Sequence, residues 1–104
     1  MINITEKDFM RQVEDLLKVL HWHWTHFRPA RTEHGWRTAI TGHKGFVDYV
    51  AVKEKRCLFI ELKSENGKLT PSQEEWAELL KACPGVEYYC WRPSQIEDIA
   101  SILR

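Results

Sequence analysis

The chain has 104 residues, enough for one domain with its own core and too few for a second, separate module. Fifteen Lys and Arg balance fifteen Asp and Glu, so the formal net charge is zero and a uniformly basic surface is excluded. The charges are unevenly distributed: residues 19–56 contain seven Lys or Arg, three acids and all five histidines. Such a basic segment fits a polar substrate held on one side, or merely an uneven surface.

The first predicted helix begins after Thr5, which forms a capping signal with Asp8 three residues later. At 100° per residue, Glu14 lies at the edge of the apolar stripe of this helix. We expect Glu14 to be the helix acid that joins a site on the sheet, although a rim glutamate on an amphipathic helix is an equally good interpretation. The residues that recur at helical spacing and predict the buried stripe are Phe9, Val13, Leu16, Leu17 and Leu20.

Alternating residues from Trp22 to Phe27 predict a strand, and a basic loop runs from Arg28 to Arg37. Three histidines near this strand are spaced H-x-H-x-x-H, and neutral imidazoles suit zinc: His21, His23 and His26. A strand would turn His26 away from the other two, and no cysteine pair accompanies them. Three tryptophans either stack on exposed nucleic-acid bases or pack into the core: Trp22, Trp24 and Trp36.

Two further predicted strands, 46–52 and 57–63, are joined by a polar turn over residues 53–56. If those four residues form the loop, Val52 pairs with Cys57, and counting back by twos places Asp48 opposite Glu61. Facing carboxylates destabilise a ladder unless a cation lies between them. Because side chains alternate, Lys63 shares the face of Glu61. A slip of one residue would turn Asp48 to the other face.

Two acids and a lysine in this arrangement suit hydrolytic chemistry at a divalent metal ion. Carboxylate oxygens are the ligands that Mg²⁺ or Mn²⁺ takes while keeping water positions open, and an ammonium group can orient or deprotonate an attacking water. The same three residues, Asp48, Glu61 and Lys63, are also compatible with solvated charges on surface strands. The apolar residues around both acids favour the site, because they indicate that the carboxylates are embedded.

A second predicted helix follows the turn at 65–67, with Thr70 as N-cap, Pro71 at the first position and Gln73 closing a capping box. Its predicted buried face is Trp76, Leu79, Leu80 and Cys83. A strand at 86–91 and a last helix capped by Ser94 with Glu97 complete the chain. The last helix is expected to bury Ile96, Ile99, Ala100 and Leu103. The predicted order is α-β-β-β-α-β-α, in a single domain spanning 1–104.

The location of the protein is predicted from cysteines and apolar runs. Three cysteines form no CxxC pair and leave an odd one out of any disulfide scheme, which indicates buried thiols in a reducing cytosol: Cys57, Cys83 and Cys90. The N-terminus has no basic region followed by an apolar region, and no run reaches membrane-spanning length. We therefore expect a cytoplasmic protein.

Four blocks of the sequence, in order, resemble a known family. They are Gly42-His43-Lys44-Gly45-Phe46-Val47-Asp48, Phe59-Ile60-Glu61-Leu62-Lys63-Ser64-Glu65, Gly67-Lys68-Leu69-Thr70-Pro71-Ser72-Gln73 with Trp76, and Tyr89-Cys90-Trp91-Arg92-Pro93 before an amphipathic helix. Together they are similar to the virus-type replication-repair nuclease (VRR-NUC) domain of the PD-(D/E)XK nuclease superfamily, in its small single-domain form carried by many phages and prophages. The resemblance covers nearly the whole chain. It departs from the family pattern at Val47, where a proline usually precedes the first acid.

The resemblance implies a PD-(D/E)XK nuclease core, an α/β fold with a central mixed sheet flanked by helices. Asp48 and Glu61 would bind Mg²⁺ or Mn²⁺ with help from the Leu62 carbonyl, and Lys63 would position the nucleophilic water. Glu14 would complete the site from the first helix. Gln73 matches a glutamine that supports the lysine or touches a phosphate, and its other interpretation is the capping box alone. His26 also falls where small relatives often carry a histidine.

The implied activity is hydrolysis of DNA by a metal-dependent endonuclease that works in replication, repair or recombination. Small relatives are similar to homodimeric, structure-specific enzymes that cut branched DNA such as Holliday junctions, and two symmetric cuts require two sites related by a twofold axis. We expect four cations in loops leading to the site to contact phosphates: Arg28, Arg31, Arg37 and Lys44. The alternative is a non-catalytic DNA-binding or protein-interaction module on the same fold.

Overall fold

The computed structural model describes residues 4–27 and 40–104 with their side chains, and the backbone alone at 30–32 and 35–37. Its helices are α1 (Glu6–Val19), α2 (Pro71–Lys81) and α3 (Ile96–Leu103), with a 3-10 turn at Pro93–Gln95. Its strands are β1 (His23–His26), β2 (Ala30–Thr32), β3 (Gly35–Arg37), β4 (Tyr49–Lys53), β5 (Arg56–Leu62) and β6 (Glu87–Trp91). Within the described residues, no helix is both long and apolar enough to cross a membrane.

The main sheet has the strand order β1-β4-β5-β6. Strands β1, β4 and β5 pair antiparallel, and β6 runs parallel to β5. The parallel pair requires a crossover, which helix α2 provides between β5 and β6. The fold is therefore α/β with a mixed four-stranded sheet, as predicted, and three helices.

Helices lie on both faces of this sheet because its side chains alternate between two apolar faces. Helices α1 and α3 pack on one face, where the buried core consists of Phe9, Val13, Leu17, Tyr49, Ala51, Leu58, Ile60, Leu62, Trp91, Ile99 and Leu103, with Trp22 at its margin. Helix α2 lies on the other face, where the ring of Trp76 meets Phe46, and Phe46 meets Phe59 of β5. The residue after Ile60 on β5, Glu61, therefore points to the α2 side.

The helix starts confirm two of the predicted caps. The Oγ1 of Thr5 accepts the N–H of Asp8 at 3.0 Å at the start of α1. Thr70 and Gln73 form a complete capping box at the start of α2, with Pro71 at its first position. The predicted cap of the last helix is wrong, because the N–H and hydroxyl of Ser94 donate to the Glu65 carboxylate and a 3-10 turn precedes α3.

The hairpin between β4 and β5 is tighter than the sequence predicts. Lys53 pairs with Arg56, so only two residues form the turn, and both have positive φ: Glu54 at 48° and Lys55 at 70°. A two-residue turn in which both residues are left-handed matches the twist of the two strands that it joins. Gly and Asn usually occupy such turn positions. The predicted pairing of Val52 with Cys57 is confirmed. The loop is shorter than predicted by one residue on each side, so the register of the two strands stays the same.

Three other predictions are wrong in detail. The predicted basic loop contains a separate two-stranded sheet, β2 with β3, which adds two strands to the predicted order. Leu79 and Cys83 on α2 are exposed instead of buried, because this short helix buries mainly Ala77 and Leu80 against the sheet. Cys57 and Cys90 are half-buried thiols.

Candidate metal centre

Asp48 lies directly before β4, not within it as the sequence predicts. Its N–H donates to the Ile60 carbonyl at 3.0 Å, and its Oδ2 accepts the N–H of Leu62 at 2.8 Å. The Asp48 carboxylate thus accepts a hydrogen bond that a backbone carbonyl would accept in a regular β-ladder. Regular pairing of β4 with β5 therefore starts one residue later, at Tyr49. These two bonds fix Asp48 to β5 on both sides of Glu61.

Glu61 is the one buried charged residue of the described core, with only 3% of its surface exposed. Burial is the main cause that raises its pKa to about 8, followed by the charge of Asp48 and a hydrogen bond with Asp48. The predicted encounter of the two carboxyl groups is therefore present. With this raised pKa, Glu61 keeps its proton at neutral pH unless a cation replaces it.

Lys63 lies beside this pair, as the alternation along β5 predicts. Its Nζ is 3.9 Å from Oε2 of Glu61, and its side chain is mostly buried. The positive charge opposes the rise in the pKa of Glu61 without cancelling it. Leu62 connects the pair through its backbone: its N–H binds Asp48, while its side chain packs in the core on the opposite face of the sheet.

Gln73 closes the predicted capping box and also contacts the candidate site. Its Oε1 accepts the N–H of Thr70 at 2.9 Å in the capping box, and its Nε2 donates to Oε2 of Glu61 at 3.3 Å. One amide therefore joins the start of α2 to the acid on β5. The partner of Gln73 is the glutamate, where the sequence suggested the lysine or a phosphate.

The loop before Asp48 passes very close to the start of α2 at Gly45. Gly45 has φ of 86°, and a Cβ built there would lie 2.6 Å from Cβ of Ser72 and 2.9 Å from the nitrogen of Gln73. Only glycine allows this approach, because any side chain would collide with the helix backbone. The contact sets the loop that carries Asp48 against the helix that carries Gln73.

Glu14 lies in a cluster with Tyr49 and His26 on the α1 side of the sheet. The Tyr49 hydroxyl donates to Oε2 of Glu14, and Nδ1 of His26 is 3.5 Å from the same oxygen. The ring of His26 stacks on Tyr49 with centroids 4.2 Å apart. Glu14 is absent from the charges that shift the pKa of Glu61. The sequence therefore located a partly buried helix acid, and the structure brings it to Tyr49, the residue after Asp48.

Two residues near Glu61 escaped the sequence reasoning. The charge of Glu6, in the first turn of α1, is the smallest of the named influences that raise the pKa of Glu61. Cys90 on β6 lies directly beside Glu61 in the parallel ladder, and burial raises the pKa of its thiol. The parallel pairing that places Cys90 there depends on a long-range crossover, for which the sequence carries no local signal.

Arg92 also escaped notice, and it supports the segment that follows Lys63. Its Nη1 donates to the carbonyl oxygens of Ser64 at 2.7 Å and Gly67 at 2.6 Å. The N–H of Lys63 donates to the carbonyl of Trp91, the residue before Arg92. Strand β6 therefore secures both the end of β5 and the turn that leads to α2.

The four predicted phosphate contacts are only partly within the described residues. Lys44 is exposed in the loop before Asp48, and its carbonyl accepts the indole N–H of Trp76 at 3.0 Å. Arg28 and the side chains of Arg31 and Arg37 lie outside the described residues. The chain reaches that segment at Phe27, whose N–H donates to the Asp48 carbonyl at 2.8 Å.

The described side chains do not support the zinc alternative. No group of three or more His, Cys, Asp or Glu within residues 4–27 and 40–104 is placed to hold a metal ion together. His21 and His23 are exposed, whereas His26 turns to Tyr49. Trp22 is buried and its indole N–H donates to the Leu103 carbonyl at 2.9 Å, so it packs in the core instead of stacking on a base.

Comparison with known proteins gives no relative to set beside this geometry. Neither a family model, nor a curated protein, nor a solved structure matched the chain. The nuclease resemblance accordingly remains a prediction from the four sequence blocks.

Proposed function

We propose that this chain is a metal-dependent DNA endonuclease related to the VRR-NUC group of the PD-(D/E)XK superfamily. The pairing of Asp48 with Glu61 carries the proposal. A buried glutamate whose pKa is raised to about 8 by burial and by a facing aspartate is an unfavourable arrangement for folding alone. Perturbed acids of this kind concentrate at functional sites.

The donor set fits Mg²⁺ or Mn²⁺. These hard cations are commonly held by one or two carboxylates, with water and substrate phosphate oxygens filling the other positions. Asp48 and Glu61 supply the carboxylates, and the Leu62 carbonyl is the third candidate ligand. The acid predicted on α1, Glu14, contacts Tyr49 and His26, so the two carboxylates and that carbonyl make up the proposed donor set without it. A bound cation would lower the pKa of a water and neutralise phosphate charge.

The remaining residues have roles that follow from their contacts. Lys63, 3.9 Å from Glu61, can orient the attacking water and stabilise negative charge that develops on the phosphate. Gln73 holds the Glu61 carboxylate through its amide, which fixes the orientation of that side chain. Lys44 is an exposed cation in the loop before Asp48 and would contact a phosphate, as would Arg28, Arg31 and Arg37.

We further propose that the substrate is branched DNA and that the protein acts as a homodimer in the cytoplasm of a bacterial or phage-infected cell. The small size of the chain and its family resemblance motivate this step. A dimer supplies the two active sites that symmetric cutting of a four-way junction requires. A protein that is monomeric by light scattering and cuts only linear duplex would contradict the branched-DNA proposal while leaving the nuclease proposal in place.

Isothermal titration of Mn²⁺ into the protein separates the nuclease from the non-catalytic module. We expect the wild type to bind Mn²⁺ and Asp48→Ala to lose that binding, because one of the two facing carboxylates is gone. Glu78→Gln is the matched control, since Glu78 is an exposed acid on α2 that forms only a surface ion pair with Lys81. Binding that is equal in all three proteins, or absent from all three, would favour the module.

A further inference from the structure

A pocket of about 440 Å³ lies between the loop before Asp48 and the outer side of α2. This volume is within the range of about 300–1,000 Å³ that is typical of small-molecule sites. The loop contributes Gly42, His43 and Lys44, and the helix contributes Ser72, Glu75, Trp76 and Leu79. The pocket therefore has room for a ring system of nucleoside size.

The wall of this pocket is a tryptophan held in one orientation. The indole N–H of Trp76 donates to the Lys44 carbonyl at 3.0 Å, which ties the ring to the loop. Phe46 packs against the same ring at a right-angled tilt, with centroids 4.8 Å apart. Leu79 on the next turn of α2 extends the apolar surface, and it is 60% exposed. A fixed aromatic ring beside an exposed leucine is a surface on which a flat ring can stack.

The charges around the pocket favour a nucleobase over a phosphate as the group bound inside it. Lys44 lines it and would favour an anionic backbone nearby, but Glu75 lines it as well and would repel a phosphate inside. A carboxylate is instead a good acceptor for the amino or ring N–H groups of a nucleobase. The combination suits a neutral ring with donor groups, attached to a backbone that passes Lys44.

The pocket is also next to the candidate metal centre along the chain and in space. Ser72, which lines it, precedes Gln73, the donor to Glu61. Gly45, which contacts Ser72, leads through Phe46 to Asp48. A nucleotide strand bound at the carboxylates would therefore lie close to the pocket.

We propose that this pocket binds one unpaired nucleobase of the DNA strand adjacent to the cleavage site, stacked on Trp76 and hydrogen-bonded to Glu75. The inference rests on the proposed nuclease function for the identity of the ligand. The pocket would thus recognise branched or flapped DNA, because such DNA has unpaired bases beside a duplex.

The test is binding of two labelled octamers in EDTA, measured by fluorescence anisotropy: oligothymidylate and an octamer of abasic sites. Leu79→Ser removes the apolar surface of the pocket wall without adding a charge, and the 60% exposure of Leu79 keeps the fold intact. Val19→Ser is the matched control, because Val19 is 69% exposed on α1 and lies outside this pocket. A second pocket variant, Glu75→Ala, removes the carboxylate acceptor and should weaken binding of oligothymidylate relative to that of the abasic octamer.

We expect Leu79→Ser to weaken binding of oligothymidylate about tenfold, the size of one lost stacking contact, and to leave binding of the abasic octamer unchanged. Val19→Ser should bind both octamers like the wild type. Equal weakening for both octamers would show that position 79 acts on the DNA backbone and would overturn the proposal, as would no weakening at all. Since no metal or cleavage is involved, loss of nuclease activity in a separate assay would not affect the result for the pocket.

Discussion

The side-chain amide of Gln73 donates to the carboxylate of Glu61 at 3.3 Å while its oxygen accepts the Thr70 N–H. One side chain therefore serves both the start of α2 and the orientation of the acid on β5. In the proposed enzyme, this link makes the helix cap a support for the metal centre. The two roles can be separated, because Thr70 takes part only in the cap.

We predict that Gln73→Ala lowers the cleavage rate at least about tenfold, the effect of one lost hydrogen bond to a charged group. Thr70→Ala should destabilise the protein by about 1 kcal/mol through loss of the N-cap and leave the rate nearly unchanged. Thermal unfolding and single-turnover cleavage of the two variants provide the comparison. Similar rates for Gln73→Ala and Thr70→Ala would show that the contact with Glu61 has no catalytic role.

The raised pKa of Glu61 predicts how stability depends on pH in the metal-free protein. The pKa of Glu61 is about 8 in the folded state and near the ordinary glutamate value of 4.5 in the unfolded chain, so between these values the folded state keeps a proton that the unfolded chain has lost. Stability is therefore greatest below the unfolded pKa and falls as the pH rises through 8. Glu61→Gln should remove this loss and be more stable than wild type at pH 8.5, by on the order of 5 kcal/mol.

Urea unfolding in EDTA at pH 5, 7 and 8.5 measures this difference, with Glu78→Gln as the control for loss of an exposed acid. Parallel pH profiles for wild type and Glu61→Gln would contradict a raised pKa. Because Glu61 carries a proton at pH 7, we also predict that Mn²⁺ binding at this pH releases about one proton, which the cation displaces from Glu61. Titration in two buffers of different ionisation enthalpy detects that release.

The close approach at Gly45 predicts a difference between two glycines with the same backbone conformation. Gly45 and Gly85 have φ of 86° and 83°, so an alanine is strained equally at both. Only at Gly45 would the new methyl group meet the backbone of Ser72 and Gln73. Gly45→Ala should therefore lose both stability and Mn²⁺ affinity, whereas Gly85→Ala should lose about 1 kcal/mol of stability alone. Equal Mn²⁺ affinities in the two variants would show that the loop and α2 do not set the site.

Much of the candidate site follows from the sequence because hairpin register and helix capping are local. Counting along two strands brought Asp48 to Glu61, and the capping box located Gln73 at the start of α2. The strand limits were less accurate. Asp48 uses its own side chain as a ladder acceptor, and no propensity scale anticipates the left-handed Glu54 and Lys55 of the two-residue turn.

The α1 acid shows where sequence reasoning reaches its limit. Periodicity correctly gave Glu14 a partly buried position, but which acid approaches the sheet end near Glu61 depends on how α1 crosses the sheet. That crossing results from packing between distant parts of the chain, such as the core that Phe9 and Val13 of α1 share with Ile60 of β5. The same dependence on tertiary packing left Leu79 exposed on α2, although helical spacing alone predicted it to be buried.

Two of the acids on α1, Glu6 and Glu14, give a further prediction. Glu6→Gln should weaken Mn²⁺ binding and leave thermal stability nearly unchanged, because Glu6 is exposed and acts on Glu61 through its charge. Glu14→Gln should lower the melting temperature by several degrees, because it replaces the carboxyl oxygen that the Tyr49 hydroxyl and His26 both contact. Titration of Mn²⁺ and thermal unfolding of both variants assign the roles. Loss of Mn²⁺ affinity in Glu14→Gln alone would restore Glu14 as the metal-binding acid.

The measurement that tests the central claim most directly is gel cleavage of a labelled four-way junction, a flap and a linear duplex with Mg²⁺ or Mn²⁺. Wild type, Asp48→Ala and Lys63→Ala are compared, with Glu78→Gln as the control. We predict metal-dependent cutting by wild type and Glu78→Gln, strongest on branched DNA, and loss of cutting in Asp48→Ala and Lys63→Ala. No cutting of any substrate by the wild type, or cutting that persists in Asp48→Ala, would contradict the account.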